Sequence, residues 1–255
     1  MKRIILSILL VSAVLLFWYP KIANYINNSI HDVTIEEYED KIKSLDKEKM
    51  YLSALKWNED RSTLNYDDIL NIKDGMMGYL EINNFNIRLP IYHYDNKRSL
   101  EKGVGHNKDT SLPIGGIDTH CVLAGHSGMT HEKMFDDLVL MKVGNYFKIK
   151  VLDHVCAYKV YDIKTVKPNE VERFIKVQKG LDLCTLVTCT PYGVNTHRLL
   201  VRGKRVPYNE KISSQAFNRN DKTPLYVVLS VLGALLIFNL LWNKLFGKKK
   251  NEEDH

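Results

Sequence analysis

Two uncharged, largely apolar runs bracket the chain. Residues 4–19 form sixteen such positions behind Lys2 and Arg3, and residues 225–242 form eighteen more. The second run is long enough to span a bilayer with modest adjustment. The first is long for a secretory-signal core and shows no small-x-small cleavage site before Pro20. Residues 1–20 are therefore read as a retained signal anchor, with a cleaved signal as the alternative, and residues 224–243 as a C-terminal transmembrane helix.

Between these runs the pattern changes twice. Residues 22–33 carry no clear period, and Trp57 to Asp68 is polar and weakly periodic, which predicts a mobile connection. Thr34 opens TIEE, a capping-box pattern with Glu37, and Ile35, Tyr38, Ile42 and Leu45 then recur at helical spacing. From Tyr79 onward the pattern is of short apolar runs bounded by turns: GYLEI, FNIRLPIYH, CVLAGH, YFKIKVL, AYKVYDIKTV and two strands within residues 183–201. Several short strands with interspersed turns predict a mainly β barrel or sandwich. Met129 to Leu140 reads as a short helix with Phe135 and Leu138 facing in, and Pro168 to Lys179 as a polar connection able to shape a groove. The organisation expected is a helical segment over 21–74, a β domain over 75–208, a linker over 209–223 and a tail over 244–255.

The net charge of +6 changes this picture little. Lys2, Arg3, Lys244 and Lys248 to Lys250 account for all of it beside the apolar termini. The nearly balanced middle argues against nucleic-acid binding. Basic residues outside both runs instead predict cytoplasmic termini and an extracellular domain over 21–223, by the positive-inside rule.

Candidate chemistry gathers on two strand ends. Leu183 to Thr188 is a strand pattern that ends on Cys189; a Pro-Tyr-Gly turn follows, and Arg198 opens the next strand. A thiol at a strand's rim is held by the scaffold yet reachable from the loop side. It needs a base or a cation, because a free cysteine with a pKa of ~8.5 is mostly protonated at neutral pH. Of nine histidines, His126 in CVLAGHSG is also placed at a strand end, and the Arg198 fork could hold a carbonyl oxygen or a developing oxyanion.

The run TLVTCTPYGVNTHRLLVRG, together with GYLEI, LPIYH, KGVGH, TSLPIGG and VLAGH upstream, resembles the sortases, membrane-tethered cysteine transpeptidases of Gram-positive bacteria, and class C, the pilin polymerases, above all. The resemblance implies a closed sortase-type β-barrel with short helices between the two membrane helices. It places the family's site on Cys189 as nucleophile, His126 as general acid and base, and Arg198 as substrate or oxyanion stabiliser. It implies cleavage of an LPXTG-type sorting signal on surface proteins or pilin subunits and transfer to an amine, a pilin lysine in class C. A cell-wall peptide amine or water as acceptor, or an inactive scaffold holding pilins, are the alternatives. No cofactor is implied.

Three further expectations complete the reading. Class C members carry an Asp-Pro-aromatic lid, and this chain has no proline between Lys21 and Leu89, so Trp57 and Asp60 are the candidate substitutes over the thiol and Arg198. Cys121 and Cys184 each stand five residues before a site residue and so point to the other strand face, where a disulfide could form if the strands are neighbours. No metal is expected: His120, His126 and His131 fall in no C-x-x-C or H-E-x-x-H spacing, and GVGHNK lacks the phosphate-loop pattern. His197 points away from the Arg198 face.

Overall fold

The apolar runs from residue 79 onward become strands because each alternates β-branched or aromatic residues between a buried interior and a second face. In the computed structural model, which describes residues 2–62, 64–129, 132–208, 217 and 221–246, they are β1 (Met76–Ile82), β2 (Ile87–His93), β3 (Val104–His106), β4 (Thr119–Ala124), β5 (Tyr146–Val151), β6 (His154–Val166), β7 (Asp182–Thr190) and β8 (His197–Val206). They close into a barrel in the order β1-β2-β3-β4-β7-β8-β6-β5, with β1 pairing antiparallel to β5. The pairs β2–β3 and β4–β7 are parallel and the rest antiparallel. The barrel thus resolves the barrel-or-sandwich choice. Only β3, three residues long, was not among the runs that read as strands.

The helices are α1 (Lys2–Ile42), α2 (Lys47–Glu59), α3 (Lys97–Leu100) and α4 (Thr223–Phe246). The chain divides into two compact units, Met1–Asn27 with Asn220–His255, and Asn28–Arg219. The helices Lys2–Ile42 and Thr223–Lys244 are long and apolar enough to cross a membrane, and within the first unit Arg3 hydrogen-bonds Asn239. Lys248 to Lys250, His131 and most of the expected 209–223 linker lie outside the described residues.

Three local expectations are corrected. Residues 22–33 are helical, part of an α1 that runs unbroken through Pro20 and Thr34, although a proline inside a helix removes one ladder bond and crowds the carbonyl four residues back. Thr34 is no cap, since its hydroxyl donates to the Ile30 carbonyl one turn back. The apolar stripe itself is as spaced: Ile35, Tyr38 and Ile42 are buried. Tyr38 pins α1 to the barrel, donating to Met77 O at 3.0 Å and accepting from Leu152 N at 2.8 Å. Behind His126, the expected helix over 129–140 is only a 3₁₀ turn at Asp136–Leu140, with Phe135 and Leu138 fully buried.

Two aromatic residues of the segment read as a mobile connection, Trp57 and Tyr66, pack inward, while Glu59 to Ser62, Asn65, Asp67 and Asp68 are exposed. Trp57, at the end of α2, is 4% exposed and meets Tyr66 at 5.5 Å between ring centroids. Tyr66 hydroxyl donates to His106 Nδ1 at 2.7 Å, and His106 Nε2–H donates to Ser111 O at 2.8 Å. In the neutral form both ring nitrogens of His106 are satisfied, and burial, which penalises the charged form, lowers its pKa from 6.5 to about 4. Between those values the unfolded chain binds a proton that the native chain does not, so stability falls as pH drops through this window. The loss should reach about 3 kcal/mol at the acid end. Denaturant unfolding at pH 7 and pH 4.5 checks this: His106→Asn should be less stable at neutral pH and have a shallower pH slope, and equal slopes would remove His106 from the account.

Candidate active site

Strand β7 is the centre of the site. It pairs with β4 on one side, with Ala124 beside Val187, and with β8 on the other, with Cys189 directly opposite Arg198. The β4–β7 ladder continues one step past the strand, Gly125 N donating to Val187 O at 3.0 Å, so the backbone brings His126 level with Cys189. Side chains alternate along a strand. Cys189 therefore shares a face with Val187 and Thr185, and that face bears Val122 and Leu200 under Phe174 and Ile175. The three sequence-selected residues thus come together at one end of the sheet's outer face. Each is half-buried.

The cover on this face is the β6–β7 connection, with a 3₁₀ helix at Pro168–Arg173. His120 holds it down, its Nδ1–H donating to Lys176 O at 3.0 Å while Nε2 accepts from Thr185 at 2.8 Å. Burial lowers its pKa. His120 is thus a satisfied packing histidine, and among the described residues no group of His, Cys, Asp and Glu could hold a metal.

Hydroxyls that sequence reasoning passed over tie the two strand ends together. Ser127 donates to Cys189 O at 2.6 Å, and Thr188 donates to Gly125 O at 2.8 Å. The signal was present, since a hydroxyl residue adjoins both His126 and Cys189, but Ser127 reads in sequence only as a loop opener. Gly125 is required by packing: a Cβ there would lie 2.6 Å from the Phe135 ring. The Arg198 guanidinium donates to the carbonyls of Asn195 and His197, each at 3.1 Å, and pairs with no carboxylate among the described residues. Its fork is left to meet an incoming oxygen.

The other cysteines are on the opposite face, inside the barrel. Cys121 and Cys184 are register partners on β4 and β7, as neighbouring strands require. The disulfide left open between them is not formed: Cys121, Cys156, Cys184 and Cys189 are all free. Burial pushes the Cys184 thiol well up, with Cys121 hydrogen-bonded beside it, and raises Cys156 to about 11. The Cys184 and Cys156 thiols therefore stay protonated and unreactive.

The lid pairing is also corrected. Asp60 accepts from the backbone and hydroxyl of Ser62, at 3.0 and 2.7 Å, rather than meeting Arg198. Next to Trp57, Asn58 accepts from Leu112 N at 2.7 Å, and the adjoining Ser111 N–H bonds to His120 O. That is six residues back along the chain from His126, or about 20 Å of strand. Trp57 is held in the core by its own packing, with Arg61 stacked 4.9 Å away.

A closed mixed barrel that presents a thiol, an imidazole and a guanidinium at one sheet end defines a cysteine acyl-transfer scaffold. The family model for the sortase domain matches residues 80–206. The structure of Clostridium perfringens sortase C with the C-terminal cell wall sorting motif is 41% identical and covers 69% of this chain and 99% of its own, with a TM-score of 0.63. Sortase C of Streptococcus pneumoniae, whose structure is described as giving insights into catalysis and pilin substrate specificity, is 39% identical over 69% of this chain and 97% of its own, with a TM-score of 0.64. Sortase A of Staphylococcus aureus is 28% identical over 193 residues, 74% of this chain and 86% of that one. The chain belongs to the sortase family of cysteine transpeptidases.

Two sets of variants test the placement. Cys189→Ala should abolish turnover, and His126→Ala and Arg198→Ala should each lower kcat by about 10²–10⁴-fold in a folded protein. Arg198→Lys should fail nearly as badly, because a point charge lacks the bidentate fork. Near-normal kcat in any alanine variant would remove that residue. Trp57→Ala should cost about 3–5 kcal/mol of stability and leave Cys189 alkylation by a bulky thiol reagent unchanged; faster alkylation in a still-folded variant would restore the lid.

Proposed function

We propose that this sortase cleaves an LPXTG-type sorting signal and joins the resulting acyl group to a lysine of a pilin subunit. Cys189 passes its thiol proton to His126 and attacks the carbonyl of the Thr-Gly bond, and Arg198 holds the oxygen as it becomes an oxyanion. His126 gives its proton to the leaving glycine amine, which departs with the C-terminal part of the signal. A thioester remains on Cys189. The lysine ε-amine then attacks that thioester, and His126 takes up the amine proton and returns it to the Cys189 sulfur, which leaves as the thiol as the isopeptide bond forms. Atoms balance without water or cofactor.

The observation that carries this reading is the register of Cys189 against Arg198 and its level with His126. The choice of a sorting signal and a pilin draws on the two sortase C structures, one holding the cell wall sorting motif and one described by its pilin specificity. Two helices long and apolar enough to span, with basic residues before the first apolar run and after the second, support a two-pass membrane protein whose barrel faces the cell exterior, where both substrates are displayed.

The full chain, reconstituted in detergent with an LPXTG peptide, tests this by competition between acceptors. Offered together a folded pilin domain, a cell-wall-type peptide amine and water, it should form the lysine isopeptide as main product. A product carrying only the cell-wall amine would make the enzyme an anchoring sortase. Only hydrolysis would make it a peptidase, and no reaction of a chemically reactive Cys189 would favour the scaffold alternative.

A further inference from the structure

The loop that leaves β4 after His126 is fastened to a part of the chain that sequence reasoning gave no role. Glu132, within this loop, is 7% exposed and pairs with His31 of α1, which is 5% exposed. The two are 101 residues apart in sequence. His31 begins the buried stripe of α1 that continues through Ile35, Tyr38 and Ile42. A polar residue at the head of an otherwise apolar stripe calls for a partner, and a buried carboxylate tolerates its site only when hydrogen-bonded and paired. Each of these two meets the other's requirement.

The same loop is tied directly to the catalytic end. Phe135 N donates to His126 O at 3.0 Å, Gly128 N donates to Asp136 Oδ1 at 2.7 Å, and the Phe135 ring occupies the space a side chain at Gly125 would need. Glu132 stands between these ties. Releasing it frees the middle of a segment whose two ends fix the backbone on either side of the His126 ring. A small misplacement of an acid–base group costs about 10–100-fold in rate.

We propose that His31 and Glu132 are positioning residues: a clamp by which α1 fixes the loop that holds His126, so that the N-terminal helix sets the efficiency of proton transfer rather than substrate affinity. This rests on the catalytic role given to His126 above. It makes no use of a lid, and it gives α1 a part in turnover besides that of an anchor.

The test is made in the full chain. His31→Ala and Glu132→Ala should each lower kcat for thioester formation about tenfold and leave KM within about twofold, and the double variant should be no slower than either single one. Glu132→Gln, which can still accept the imidazole N–H, should recover most of the rate. Amide exchange at Gly128 and Phe135 should rise about tenfold in the alanine variants, while Leu80 and Leu89 in β1 and β2 keep their protection. That exchange is read without substrate, so a wild-type chain inert toward sorting peptides would sink the functional reading and still leave the clamp decided. Wild-type kcat in the alanine variants, additive losses, or exchange that rises evenly across the barrel would each overturn it. Should the alanine variants unfold, Glu132→Asp, which withdraws the carboxylate by one methylene, decides by the same readouts: slower turnover with faster loop exchange supports the clamp, and wild-type behaviour refutes it.

Discussion

The pairing of β7 with two neighbours of opposite direction governs this molecule. Parallel pairing to β4 makes the two strands end at the same level, which carries His126 alongside Cys189. Antiparallel pairing to β8 turns the chain back and sets Arg198 opposite the same thiol. One central strand can satisfy both only in one register. A slip of a single residue would turn Cys189 into the barrel and bring a buried neighbour outward. The hydroxyls of Ser127 and Thr188, each bonded to a carbonyl of the other strand's end, resist such a slip where the ladder is about to stop.

The same register separates reactive from inert cysteines. On the inner face, Cys121 and Cys184 lie side by side among apolar neighbours, and desolvation disfavours the Cys184 thiolate. On the outer face Cys189 is half-buried, at the rim of a sheet whose lower part is sealed by Val171, Phe174 and Ile175. The cover beneath the site is held by His120, a residue whose neighbourhood to His126 in sequence invited a metal reading but whose two nitrogens are spent on Lys176 and Thr185.

Much of this was legible because the site residues obey local rules. A strand period ending on Cys189, a turn after it and an arginine at the start of the return strand specify a hairpin, and parity alone put Cys121 and Cys184 on the other face. What stayed hidden depends on contacts distant in sequence. Trp57 and Tyr66 sit in a polar stretch with weak periodicity, yet Trp57 is buried and Tyr66 is wedged between it, His93 and His106. Residues 22–33, with Asn27 and Asn28 among them, carry little helical preference of their own, and α1 nonetheless runs through them. The His31–Glu132 pair has no local signature at all, because each partner alone reads as a surface residue.

The central claim is that Cys189, raised to the rim by β7 and flanked by His126 and Arg198, is the atom that carries the acyl group. Intact-mass analysis of the full chain, quenched in acid during reaction with a sorting-signal peptide and followed by peptide mapping, tests it most directly. The account predicts an adduct equal to the N-terminal part of the cleaved signal, on the peptide containing Cys189 and released by hydroxylamine. An adduct on Cys121, Cys156 or Cys184, or cleavage of the signal with no acyl-enzyme when the acceptor is withheld, would contradict it.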